Sequence, residues 1–504
     1  MVIEFGGLFE HAAEALWIVI SQWQYLLLGI LAGMILGVIP GMGGAVTLTV
    51  LLPFSIRLDP TSAFVLFGGA LGATTFAGSL TAILVNTPGS GSNAATLLDG
   101  YPLTRQGEAK TAIGASAFSS ATGAVLSLVF FLALIPFIIE IALLFGNSEV
   151  FWLVLIGLTV LPLVAGDRML AGLAVGALGL IFAFTGPALR TGEMRFSHGF
   201  AFLFDGIGLV PAIVGLFAIA EMVKLASQNQ DIIKEKHEIG GSIVKGVKET
   251  IRHRWLWFRC TLIGLLIGTI PGAGGSVANF VSYGHAVQTS KNPQEFGTGR
   301  IEGVIASEAA NDSKDGGQLF PTLSLGIPGS GSMAVLLTGF LVHGIQPGPG
   351  MLSEELTLML VIVFSLIASN VLTSVIGVIF SNQLVQIADL PIAVLSPSII
   401  VLSLMAVFIS RNHFPDLFVA LFFGLLGIAL MYFSVSRIPI ILALVLGGIF
   451  ENNFYISLQL AQGDWFQAFF VGTLNQILVV LLIVTILFPF YGQIRRALET
   501  RLPV

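Results

Sequence analysis

Asn86-Thr87-Pro88-Gly89-Ser90-Gly91-Ser92-Asn93 closes an apolar stretch where a membrane helix would otherwise run on, and Gly326-Ile327-Pro328-Gly329-Ser330-Gly331-Ser332 does the same in the second half of the chain. Each Pro-Gly-Ser-Gly-Ser is preceded by a Pro-Gly-x-Gly-Gly, Pro40–Gly44 before the first and Pro271–Gly275 before the second. Proline removes a donor from the helical ladder, and glycine lets the backbone leave helical geometry and approach a ligand. Within a bilayer, unwound backbone is tolerated only where protein encloses it or it lines a polar cavity. Two matched sets of breaks therefore mark the interior of a secondary transporter and point to its substrate site.

The composition fixes the solvent. Of 504 residues, 55% are hydrophobic and 10% charged, with a mean hydropathy of +0.94, against about 25% charged in a soluble chain. Apolar runs of roughly 18 residues or more recur along the sequence, and strands of alternating polarity are absent, which excludes an outer-membrane barrel. A formal charge of −6 does not suggest nucleic acid, and one cysteine, Cys260, precludes an internal disulfide. Met1 to Glu14 holds three glutamates and no Lys or Arg, so no cleaved leader is expected. No Gly-x-x-x-x-Gly-Lys-Ser/Thr loop and no His-Glu-x-x-His occur, which disfavours an ATP-driven pump and a zinc hydrolase.

The expected fold is an all-α polytopic membrane protein with about 12–14 membrane segments, arranged in two inverted repeats with broken helices and re-entrant elements. The segments 44–55 and 275–286 are too short to span, whereas 317–342, 437–451 and 467–491 read as spans. Gly37–Gly44 matches Gly268–Gly275, and the Pro-Gly-Ser-Gly-Ser copies match next. Basic residues between Lys224 and Arg259, and Arg495, Arg496 and Arg501 in the tail, place both segments in the cytoplasm. The N-terminus and the acidic loop 451–466 read as external. The division expected is a first repeat at 1–225 with a periplasmic N-terminus, a basic cytoplasmic linker at 226–251, a second, inverted repeat at 252–452, and an extra C-terminal span with a cytoplasmic tail at 453–504.

Asn86, Thr87, Pro88, Gly89, Ser90, Gly91, Ser92 and Asn93, with Pro328, Gly329, Ser330, Gly331 and Ser332, are the candidate substrate-binding residues. Short hydroxyl and amide groups at half-helix N-termini suit a carboxylate. Lys314 would neutralise part of a polyanion's charge. Asn311, Asp312 and Asp315, in the polar stretch 307–317, are candidate ligands for Na⁺ or carriers of H⁺. That stretch reads equally as a solvated cytoplasmic loop. Gly41, Gly43, Gly44, Gly272, Gly274 and Gly275 are either ion-binding breaks with exposed carbonyls or turns into half-helices. No catalytic residue, cofactor or fixed metal is expected beyond a coupling Na⁺ or H⁺. The alternatives are a channel-like carboxylate permease and, from another class, an intramembrane aspartyl hydrolase using Asp312 and Asp315.

Together these elements resemble the large membrane subunit of the tripartite tricarboxylate transporters, the TctA family. The resemblance rests on Gly37–Gly44, Asn86–Asn93 with Leu98-Asp99-Gly100-Tyr101-Pro102, Gly268–Gly275, Glu308–Gly317, Gly326–Ser332 and His343–Pro349. It implies a multi-pass protein of the bacterial inner membrane, paired with a small TctB-like membrane subunit and fed by a periplasmic TctC-like solute-binding protein. It further implies uptake of citrate, another tricarboxylate or a related carboxylate by symport with Na⁺ or H⁺.

Overall fold

The computed structural model describes residues 5–142, 144–164, 169–227, 240–271, 274–352, 354–388 and 391–499. The described chain is almost wholly helical: α1 (Phe5–Ser21), α2 (Trp23–Gly37), α3 (Gly44–Ser55), α4 (Pro60–Val85), α5 (Ala94–Arg105), α6 (Ala109–Ala142), α7 (Asn147–Val164) and α8 (Met169–Ala183). α9 (Leu209–Ile213) runs through a π-helical segment (Val214–Ile219) into α10 (Ala220–Ser227). Then come α11 (Ile243–Arg252), α12 (Arg254–Gly268), α13 (Gly274–Thr289), α14 (Ile301–Leu319), α15 (Gly331–Val342), α16 (Leu356–Ala388), α17 (Ile392–Arg411), α18 (Pro415–Tyr432), α19 (Ile438–Leu460), α20 (Trp465–Phe470) and α21 (Thr473–Glu499). A two-stranded hairpin, Gly186–Pro187 with Met194–Arg195, is pinned to α19 by the two-pronged Arg195–Glu451 pair at 3.0 and 2.8 Å.

The protein is a polytopic helical membrane protein. Among the described residues seven helices are long and apolar enough to cross a bilayer, and the pair α1–α2, bent by 69°, adds an eighth. Five shorter apolar helices, including α3 and α15, accompany them. α1 was not anticipated. The expected span 317–342 is corrected: α14 ends at Leu319, a π-helical turn covers Phe320–Ser324, and α15 begins only at Gly331. A second correction is that 307–317, offered in one reading as a solvated loop, is the enclosed middle of α14. Glu308 and Asp312 are held by hydroxyl partners and Asp315 by Lys314, so polarity there does not mean a solvated loop.

Helices α2 to α6 recur in order as α12 to α16, and their packing recurs with them. α2 lies along α4 as α12 lies along α14; α4 packs on α16 as α14 packs on α6. α4 and α14 are the enclosed centre: Ser62–Leu84 and Gly303–Leu319 are buried throughout. Glycine sets the closeness of the outer pair. A Cβ on Gly33 would lie 2.4 Å from the Ala70 carbonyl, and one on Gly268 would lie 2.3 Å from that of Lys314. Gly37 touches the backbone of Thr74 as Gly268 touches that of Lys314, so Thr74 and Lys314 are equivalent positions. The same shift carries Pro88 onto Pro328, Gly68 onto Glu308 and Gly72 onto Asp312.

α11 crosses α6 where Gly114 admits the backbone of Ile243 and Gly246 that of Thr111 and Ala115. Lys245 Nζ donates to Glu108 Oε1 at 2.6 Å, and this bond holds the Glu108 carboxyl below the usual carboxylate range. Of the expected linker, 228–239 lie outside the described residues, as do Gly272 and Arg501.

Candidate functional site

The two breaks of the first half touch. Gly41 N donates to Gly89 O at 2.9 Å, and Gly89 N donates to Gly78 O at 3.2 Å. Gly89 fits only as glycine, because a Cβ there would come within 2.4 Å of both the Gly37 carbonyl and the Gly78 Cα. Asn86 ends α4 in the left-handed region (φ 58°). Asn93 then locks the loop from behind: its Oδ1 accepts from Ser90 N (3.1 Å) and Ser90 Oγ (2.7 Å), while its Nδ2 donates to Thr75 O (2.9 Å). The second copy is built alike, with Ser330 Oγ donating to Gln318 Oε1 at 3.0 Å and capping Met333 N at 3.4 Å. Gly89→Val is expected to drive α2 and α4 apart and lower the amount of folded protein, read by fluorescence-detected size exclusion; a normal peak would refute the close crossing.

The halves also interlock. The Cβ position of Gly44 is 2.8 Å from Ser332 Oγ, and that of Gly91 is 2.8 Å from Ser276 Oγ. Asn279 Nδ2 donates to the Ser92 carbonyl. Between these contacts lies a cavity of about 740 Å³, within the range of about 300–1,000 Å³ of small-molecule sites.

Four helix N-termini open onto this cavity: those of α3 at Gly44, of α13 at Gly274, of the turn leading into α5 at Gly91, and of α15 at Gly331. Of the expected residues, Pro88, Ser90, Gly91, Ser92, Ser330, Gly331, Ser332, Lys314, Asp315, Gly41, Gly43, Gly44, Gly274 and Gly275 line it. Asn86, Thr87, Gly89, Asn93, Pro328 and Gly329 are not on its wall; Gly89 and Asn93 brace the loop that is. Sequence reasoning missed Glu221, Lys224, Arg437, Ser276 and Gln318, which line it too. The only signal for the first three was charge at the ends of apolar runs. Lys224, Lys314 and Arg437 face two carboxylates, Glu221 and Asp315. With four N-termini at roughly half a positive charge each, the cavity carries about +3.

Asn311 and Asp312 lie deeper, beside Glu308, and all three are fully buried. Glu308 Oε1 accepts from Ser79 Oγ (2.8 Å) and Thr96 Oγ1, and its Oε2 from Ser116 Oγ (2.8 Å). Ser120 donates to Asp312 Oδ2. Among the described residues, no group meets hydrogen-bond geometry to Asn311 Oδ1 or Asp312 Oδ1. A hydrogen-bonded chain joins this cluster to the cavity: Ser90 to Asn93, Asn93 Nδ2 to Ser79 Oγ at 2.8 Å, and Ser79 to Glu308. The first half has glycines at the equivalent places, Gly68 against Ser365 and Gly72 against Ser369. The acidic cluster is thus built in one half only. Asp315 is instead ion-paired with Lys314 at 2.9 Å.

Paired helix breaks around a polar, electropositive interior cavity define a membrane transport protein built by duplication. Residues 24–442 match the Tripartite tricarboxylate transporter TctA family, and the chain belongs to that family. It is accordingly a transporter large subunit, from a family that works in three-part systems with a second membrane subunit and a binding protein. Among curated proteins it is similar to an uncharacterized 52.8 kDa protein in the TAR-I ttuC' 3'region of Agrobacterium vitis. The two are 32% identical over 441 residues, 86% of this chain and 87% of the other. A protein in the TAR-II ttuC' 3'region of the same organism is 31% identical over 201 residues, 40% of this chain and 83% of its own. No solved structure matches the chain.

Proposed function

We propose that the protein carries a carboxylate anion, citrate or a related di- or tricarboxylate, into the cell across the bacterial inner membrane. A small TctB-like subunit accompanies it and a periplasmic TctC-like receptor delivers the ligand. The observation that carries this reading is the cavity where both Pro-Gly-Ser-Gly-Ser motifs converge. N-termini and serine hydroxyls give N–H and O–H donors without fixed counter-charges, which suits a carboxylate that must later leave. The halves are taken as inverted repeats with the basic segment inside, and transport as alternating access around the shared cavity. Asn311, Asp312 and Glu308 take the coupling cation, Na⁺ or H⁺, and the chain through Asn93 relates its site to the anion. The aspartyl-hydrolase alternative lacks support, because Asp315 is paired with Lys314 and Asp312 is enclosed behind the cavity.

The test is uptake of labelled citrate and smaller carboxylates into proteoliposomes holding both membrane subunits, with the cognate receptor outside and an imposed Na⁺ or pH gradient. A carrier gives saturable uptake that stops when the gradient is collapsed. Flux that neither saturates nor depends on the gradient would establish the channel-like permease instead.

A further inference from the structure

The cavity built for an anion contains a carboxylate of its own. Glu221 is 6% exposed, on α10. Its Oε2 accepts from Arg437 at 2.8 Å and its Oε1 from Lys224 Nζ at 3.2 Å. The Arg437 guanidinium also donates to the Leu216 carbonyl at 2.9 Å and lies over the Phe217 ring, 5.1 Å from its centroid. This trio is not remote from the motifs. Glu221 Oε1 is 2.9 Å from the Cβ position of Gly41, in the first break. Phe217 and Ile438, which flank Arg437, are 3.6 and 3.7 Å from the Cβ position of Gly331, at the head of α15.

From this geometry we propose that Arg437, with Lys224, forms a second carboxylate subsite, distinct from the Pro-Gly-Ser-Gly-Ser contacts, and that it selects substrates with two or more carboxylates over those with one. The inference rests on the cavity being the substrate site. Two cations gathered beside a low-dielectric pocket are costly when no ligand is bound; the Glu221 carboxylate offsets one of the two charges and leaves a net positive charge for a ligand. The guanidinium has five N–H donors, of which the bonds to Glu221 and Leu216 use two, so donors remain for a ligand oxygen. Its plane is fixed by Phe217 and by the Leu216 bond, so it meets a planar carboxylate without reorganising. A monocarboxylate seated on the helix N-termini has no second group to reach Arg437. A polycarboxylate spans both.

Arg437→Gln and Lys224→Gln are compared with wild type in proteoliposomes of the complete transporter, with initial uptake rates of a tricarboxylate, a dicarboxylate and a monocarboxylate measured against concentration. The expected result is a KM for the tricarboxylate raised at least about tenfold by Arg437→Gln and severalfold by Lys224→Gln. The monocarboxylate KM stays within about twofold, so discrimination between the classes narrows. Arg437→Lys, which keeps the charge but loses the fork, is expected to recover part of the difference. Equal loss for all three substrates, or an unchanged ratio, overturns the subsite. Lys224, whose side chain is 47% exposed, is expected to tolerate substitution better than Arg437, so the ratio is readable even if Arg437→Gln accumulates poorly. Ser332→Leu in the same assay separates the two readings. If it abolishes uptake while the Arg437 ratio is flat, only the subsite falls; if it transports normally, the cavity assignment falls with it.

Discussion

Ser332→Leu is expected to abolish uptake, by roughly a hundredfold or more, while the protein still reaches the membrane. The serine stands where α15 starts, on the cavity wall, with its Oγ 2.8 Å from the Cβ position of Gly44 in the opposing break. Leucine replaces a hydroxyl donor with a branched apolar group that has nowhere to go except the cavity or the α3 terminus. Displacing bound groups by about 1 Å is enough to cost on the order of 10²-fold, and overpacking at such a contact costs about 1–3 kcal/mol of stability. Ser90→Leu is expected to do the same from the other half, and also to strip Asn93 Oδ1 of the Ser90 hydroxyl donor. Both variants transporting at wild-type rates, with normal membrane levels, would rule out a site at the breaks.

The second large effect belongs to the buried acidic cluster. Glu308→Ala leaves the hydroxyls of Ser79, Thr96 and Ser116 facing a void in the enclosed centre of the bundle. Lost hydrogen bonds and the new cavity together cost about 3–5 kcal/mol, to be read as a lower melting temperature in detergent. Glu308→Gln keeps the shape and is expected to cost about 1–3 kcal/mol. It should also uncouple uptake: accumulation against a gradient is lost while downhill exchange of labelled carboxylate persists. Asp312→Asn is expected to shift the ion titration of uptake, since it replaces a fully buried carboxylate oxygen beside Glu308, while the Ser120 hydroxyl still has an acceptor or donor partner there. An ion titration that neither substitution moves would remove the cluster from coupling.

How much of this was legible beforehand depends on the kind of residue. The breaks were readable because Pro and Gly act through their own backbone: α4 stops at Asn86 and α15 starts at Gly331 for local reasons. Composition made the helical membrane fold legible for the same reason, since burial in lipid is a property of whole runs. The stretch 307–317 was misjudged between loop and site because polarity predicts solvent unless partners are known. Here the partners come from α4, α5 and α6, roughly two hundred residues away in sequence, through Ser79, Thr96, Ser116 and Ser120. Glu221, Lys224 and Arg437 were missed because each is an unremarkable charge at a helix end until α10 and α19 are brought together.

By itself the sequence determined that this chain is an all-α membrane protein of the tripartite tricarboxylate transporter type, duplicated, with helix breaks signalled by Pro40, Pro88, Pro271 and Pro328 and the glycines that follow them. Those are matters of local backbone chemistry and of which solvent the chain can tolerate. Only the tertiary structure decided that α3 of one half faces α15 of the other, that four N-termini share one cavity, and that Arg437 and Glu221 stand at its edge. Glycine-mediated close packing of α2 on α4 and of α12 on α14 sets those distances, and contacts between segments remote in the chain leave no trace in local pattern.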